Sequence, residues 1–209
     1  MSAREAILQR IRSVQAHGLT PDVERMIANP VRGPQPAPVP DLVSRFIEQA
    51  KALSSDVLRI KHQHEVPHAI AQYLAENSLG HHTLCWPDFL EMDWIAARIV
   101  VAAQAASEED AAGITGAFCA IAETGTLMLL SGAHTPAATS LLPATHIAVL
   151  DRTRIVATME DAWELLRRER GSLPRAVNFI SGPSRTADIE QTVTLGAHGP
   201  ARVLIVVVG

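Results

Sequence analysis

Apolar positions recur at helical spacing near the start of the chain and collapse into short continuous runs further on, and this change of period organises the sequence. Over residues 2–16, Ile7, Leu8, Ile11 and Val14 share one face of an amphipathic helix that Ser2 can cap. Such a stripe must dock on another surface. Between Asn29 and Pro40, NPVRGPQPAPVP places five prolines among twelve residues. Prolines remove backbone donors and hold the chain extended, so this stretch is a linker or a wrapping arm. Asp41 then caps a helix carrying Leu42, Phe46, Ile47 and Leu53. The expected organisation is an N-terminal helix and proline-rich arm over 1–40 and a compact domain over 41–209.

From Asp56 onward, short apolar runs alternate with helical stretches. VLRI (57–60), TLCW (83–86), ARIVVAA, HIAVL (146–150), AVNFI (176–180) and RVLIVVV near the end predict strands. PHAIAQYLAEN (67–77), with Pro67 in its first turn, predicts a helix, and so do residues 158–170 and a short segment after Ile180. ITGAFCAIAETGTLMLLSG (114–132) is apolar on both sides of AETG, which predicts two strands around a tight turn. The pattern specifies an α/β fold: a largely parallel sheet, buried on both sides and flanked by helices.

Composition narrows the function classes. The chain has 209 residues, 47% hydrophobic and 19% charged, with net charge −4. That balance offers no basic patch to a nucleic-acid backbone. No apolar run reaches the length of a membrane span, and MSAREAILQRIRS lacks the apolar stretch of a secretory signal, so a cytoplasmic protein is expected. Two cysteines cannot supply the four thiolates of an iron–sulfur cluster. Cys85 and Cys119 sit in apolar surroundings and are expected to act as small buried hydrophobes.

One motif match is a decoy. HEVPH (64–68) satisfies the zinc-peptidase pattern, which needs both histidines on one continuous helix. Pro67 belongs in a first helical turn and biases its predecessor toward extended backbone, so His64 and Glu65 fall outside the helix. His62, His81 and His82 show no defined metal-ligand spacing and are expected in solvent or loops. No metal site is expected.

Two other stretches carry candidate chemistry. In SGPSRTADIEQ (181–191), Ser181 and Gly182 follow a strand, Ser184 or Thr186 can cap a helix, and Arg185 adds a forked donor for a carboxylate or phosphate. The functional reading is an anion-binding turn whose arginine serves the ligand more than the core. The bland reading is ordinary capping, with Arg185 paired to Asp188 or Asp151. In AETGT, Glu123 and Thr124 interrupt an apolar run and are followed by Gly125 and Thr126. Glu123 is either a base or nucleophile flanked by threonine hydroxyls or part of a polar hairpin tip. His134 and His146 follow closely; either could complete a site, though such residues more often lie at surfaces or strand ends.

MSAREAILQRIRS, GITGAFCAIAETGTLMLLSG, SLLPATHIAVL and ISGPSRTADIEQTVTLGAHGP together resemble the lactate utilisation protein C family, which carries the LUD domain. The resemblance implies a fold similar to the sugar-phosphate isomerase, CoA transferase and formyltetrahydrofolate cyclo-ligase group. It also implies a role in oxidising L-lactate to pyruvate beside two partner proteins that bear the iron–sulfur clusters. The chain shows no Gly-x-Gly-x-x-Gly fingerprint after a strand, so the redox step is not expected to be completed by this chain alone. The expected role is an accessory or ligand-binding subunit, with Glu123, Thr124, Thr126 and the Ser184–Thr186 turn facing one cleft. The alternatives are a self-sufficient transferase or ligase acting on a CoA, folate or sugar-phosphate substrate through Glu123, and a regulatory module sensing a small acid.

Overall fold

The computed structural model describes residues 2–15, 21–28, 32–34, 37–106, 110, 112–186 and 194–209. They form two compact units, residues 1–37 and 38–209. The first holds α1 (Ala3–Gln15) and α2 (Pro21–Ala28). Ser2 caps α1 reciprocally: Glu5 N donates to Ser2 Oγ at 3.2 Å, and Ser2 N donates to Glu5 Oε2 at 2.6 Å. Ile7 and Ile11 on this helix are exposed.

In the second unit, the Asp41 carboxylate accepts from Ser44 N at 3.0 Å and starts α3 (Leu42–Ala52). There follow β1 (Asp56–Ile60), α4 (Val66–Glu76), β2 (His82–Cys85), β3 (Val100–Ala102), β4 (Ala112–Gly116), β5 (Cys119–Ile121) and β6 (Thr126–Leu130). Next come α5 (Ala138–Leu141), β7 (Thr145–Asp151), β8 (Ile155–Val156), α6 (Met159–Arg170), β9 (Val177–Ile180), β10 (Arg185–Thr186), β11 (Thr194–Leu195) and β12 (Arg202–Val208). Six strands make an all-parallel sheet in the order β1-β12-β7-β4-β2-β3. Helices α3 and α4 pack on β1, and α5 packs on β4 and β7. The expected α/β architecture, a largely parallel sheet flanked by helices, is what the chain adopts.

A second sheet, β8-β5-β6-β9, is mixed. Its β5–β6 hairpin is buried on both faces. Cys119, Ile121 and Met128 pack under Ala162, Leu165 and Leu166 of α6, while Ala120, Leu127 and Leu129 join the core of the large sheet. Each fully buried Leu or Ile contributes roughly 1.5–3 kcal/mol. This double burial explains one departure from expectation: residues 114–132 contain three strands rather than two. The chain leaves the large sheet after Gly116 and enters the small one at Cys119, and an uninterrupted apolar run conceals that crossing because no face is polar.

Two further expectations are corrected. The segment after Ile180 does not cap a helix at Thr186. Arg185 and Thr186 are extended and pair antiparallel with Leu195 and Thr194, while residues 187–193, where the rest of the expected helix falls, lie outside the described residues. His146 is not at the surface. It is fully buried in β7, with its Nε2 hydrogen-bonded to Thr115 Oγ1 at 2.8 Å. By contrast, Pro67 does open α4, and Gln63–Glu65 forms a separate 3₁₀ turn that keeps His64 and Glu65 off the helix. The Glu65 carboxylate accepts from the backbone N–H groups of His62 and Lys61, which hold it below the usual range.

Burial pulls the His146 imidazole down to about 4. In the unfolded chain the same group titrates near 6.5. The unfolded state therefore binds the extra proton in the interval between, and stability is lost as pH falls from about 6.5 toward 4. Urea unfolding across this window should show wild type losing about 3 kcal/mol more than His146→Gln. Parallel curves would mean that the folded protein protonates this imidazole.

Candidate functional site

The two sequence motifs meet at the last turn of α3. AETG closes the β5–β6 hairpin: Gly125 N donates to Ile121 O at 2.9 Å, and Gly125 lies in the left-handed region at φ +68°. That conformation suits glycine, and so does the space, because a Cβ there would collide with the backbone of Gln49 and Ala50. Gly182 follows β9 at φ +82°, where a Cβ would strike the carbonyl of Leu53. Since β6 pairs with β9 in the register Leu127↔Ile180, the flanking hydroxyls face each other. Thr124 Oγ1 donates to Thr126 Oγ1 at 2.8 Å, and Thr126 Oγ1 lies 2.8 Å from Ser181 Oγ. Thr126 is buried, whereas Glu123, Thr124 and Ser181 are exposed. Glu123 N donates to Ala157 O at 3.0 Å, but its carboxylate has no hydrogen bond or ion pair among the described residues.

Arg185 does not pair with Asp151. Its Nη2 donates to Leu53 O at 3.1 Å and to Ser54 Oγ at 2.5 Å, so it covers the carbonyl end of α3. Asp151 instead accepts from Thr153 N at 2.8 Å, and Asp188 lies outside the described residues. Ser184 is held through its backbone: its N donates to Pro200 O at 2.9 Å, and its carbonyl accepts from Gly196 N at 2.9 Å. The candidates thus gather where β1 and β12 begin, at the amino edge of the parallel sheet.

A cleft of about 740 Å³ lies elsewhere. The chain leaves β2 toward β3 on one side and leaves β4 toward β7 on the other, so the carboxyl ends of β2 and β4 form a topological switch point. Ligands of open α/β sheets collect at such points. Trp86 and Phe89 after β2, Gly116 at the end of β4, Phe118 beyond it, His134, and Arg170 at the end of α6 line the cleft. Glu123 and the Ser181–Thr186 stretch do not. Sequence reasoning named only His134 of these, because strand-end loops carry no motif; the usable signal was their position after two predicted strands.

Both cysteines are buried, and burial pushes their thiols up to about 11 for Cys85 and about 12 for Cys119. Among the described residues no cluster of histidine, cysteine and carboxylate side chains is arranged to hold a metal, and no helix is long and apolar enough to cross a membrane.

The LUD domain profile matches residues 43–208. The chain belongs to the LUD domain family. This LUD domain is 41% identical over 105 residues to lactate utilization protein C of Halalkalibacterium halodurans, covering 49% of this chain and 46% of that one. It is 35% identical over 105 residues to lactate utilization protein C of Bacillus subtilis, covering 49% and 44%. The chain thus spans about half the length of these curated relatives. The fold is shared with the crystal structure of a DUF162 family protein from Deinococcus radiodurans, at 26% identity and TM-score 0.61, over 80% of this chain and 96% of that one.

The Arg185 contacts imply a structural task. Arg185→Ala should lower stability by about 1 kcal/mol in urea denaturation, the worth of an exposed capping hydrogen bond. Wild-type stability in that variant would show that these contacts add nothing to the fold.

Proposed function

We propose that this LUD domain serves lactate utilisation as an accessory, ligand-binding subunit that works beside two partner proteins bearing the iron–sulfur clusters. Relatives named lactate utilization protein C support the pathway. One structural observation supports a site at the paired turns: the hydroxyl chain Thr124–Thr126–Ser181 joins both motifs beside the unpartnered Glu123 carboxylate. In this reading the exposed hydroxyls and the turn bearing Gly182, Ser184, Arg185 and Thr186 receive a small carboxylate or phosphate ligand, and Glu123 acts as a base. Gly125 and Gly182 set the turns to the required closeness. The chain carries no cluster of its own, a reading supported by two buried thiols that burial keeps protonated. Helix α1, with Ile7 and Ile11 exposed, docks the partners.

The same unpartnered carboxylate favours a second reading, a self-sufficient transferase or ligase in which Glu123 is the nucleophile on a CoA, folate or sugar-phosphate substrate. Growth separates the two. Deleting the gene should abolish growth on L-lactate and spare growth on a sugar, and the wild-type chain should restore it. Normal growth of the deletion strain on lactate would remove the lactate role. Glu123→Gln should fail to complement; full complementation would keep the subunit role and remove Glu123 from the chemistry.

A further inference from the structure

Helix α6 ends in a run of charge of one sign. Residues 167–175, RRERGSLPR, hold four arginines and one glutamate in a chain whose net charge is −4. That glutamate is already engaged: Glu169 makes a two-pronged pair with Arg154 at 2.7 and 2.9 Å. Arg167, Arg168, Arg170 and Arg175 are exposed and have no hydrogen bond or ion pair among the described residues. Cations in the last turn of a helix complement its carbonyl end. This accounts for the first three arginines. It accounts neither for Arg175, which lies beyond the helix, nor for the side chain that stands between them.

That side chain is Leu173, which is 69% exposed. A loose loop does not explain its exposure, because the connection from α6 to β9 is tied at both ends. Gly171 N donates to Arg167 O at 3.1 Å. At the far end, Ala176 N donates to Ser131 Oγ at 2.8 Å, and Ser131 N donates to Ala176 O at 3.0 Å. Pro174 restricts the backbone directly after the leucine.

Leu173 also belongs to two hollows. With Ser172 it lines both the cleft of about 740 Å³, to which Arg170 contributes, and a second hollow of about 350 Å³, to which Trp163 and Arg167 contribute. Trp163, Arg167 and Arg170 follow one another at four- and three-residue steps, so they share a face of α6. Trp163 is half-buried and packs edge-on against Phe179, with 5.7 Å between ring centroids. The surface therefore offers an apolar seat among unpaired arginines.

Shape and sign select the occupant. Two copies meeting through this face would set arginine against arginine. An anionic membrane would repel a chain of net charge −4 as a whole, and a hollow suits a protruding side chain better than a flat surface. A carboxylate-rich segment with one large apolar side chain complements both the charge and the hollow. We propose that this face docks an acidic segment of a partner protein, with one apolar side chain seated beside Trp163 and Leu173 and flanking carboxylates on Arg167 and Arg170. The inference uses none of the paired-turn residues, so it and the growth experiment fail separately.

Selection of phage-displayed random peptides on the full chain, followed by fluorescence polarisation of the peptides recovered, tests it. They should be net acidic around an aromatic or aliphatic residue and should lose affinity as salt rises. Leu173→Asp, and separately Arg167→Glu combined with Arg170→Glu, should weaken their binding by about tenfold or more. Because Leu173 is exposed, Leu173→Asp should keep the wild-type melting temperature, so its loss of binding reports the surface and not the fold. An empty selection, peptides no more acidic than the starting library, or acidic peptides that both variants bind with wild-type affinity would overturn the proposal. Leu173-dependent binding to phosphatidylserine vesicles with no acidic peptide recovered would overturn it in favour of a membrane surface, and Leu173-dependent dimers in sedimentation would do so in favour of a second copy.

Discussion

Two glycine turns pressed against one helix end join the six-stranded parallel sheet to the four-stranded β8-β5-β6-β9 sheet. Gly125 closes the hairpin of the small sheet against Gln49 and Ala50, Gly182 leaves that sheet against Leu53, and α3 itself packs on the first strand of the large sheet. Backbone meets backbone at both places, so any side chain there would push the layers apart. From this contact follows the double burial of β5 and β6, with one face against α6 and the other in the main core. The same contact brings the AETG and SGPSR stretches to one place, and it engages Arg185 with the carbonyl end of α3.

Much of this was legible in the residues, for reasons that differ by element. Helix α3 announced itself through Asp41 and the spacing of Leu42, Phe46 and Ile47, and α4 through Pro67, because caps and periodicity are local properties. The parallel strands were visible as short apolar runs. The break at Ala117–Phe118 was not, since burial of both faces erases the alternation that marks a strand boundary. The ribbon at Arg185–Thr186 was hidden because its pairing with Thr194–Leu195 is tertiary, and hydroxyls at 184 and 186 suit a cap equally well. His146 misled through its polarity: it is buried with its Nε2 hydrogen-bonded to Thr115 on the adjoining strand and its Nδ1 without a partner among the described residues. At the candidate site, the meeting of the two motifs was expected, while their seat at the end of α3 depends on long-range packing that no local pattern encodes.

The candidate side chains stand at opposite edges of the parallel sheet. At the amino edge, hydroxyls and one carboxylate stand on turns whose geometry two glycines fix. At the carboxyl edge, rings and basic groups surround a switch point whose existence follows from strand order alone. An α/β sheet can carry both because its edges are built from different loops, and neither set of side chains constrains the other.

Strand order also governs when the sheet can be completed. β12, residues 202–208, lies between β1 at residues 56–60 and β7. During synthesis β1 emerges early and has no neighbour until Arg202–Val208 has left the ribosome. Its pairing edge toward β12 stays open while the chain between them is made, the circumstance in which nascent chains engage chaperones or one another. A non-local pairing of this kind also slows folding, because the intervening chain must be ordered before the central contact rewards it.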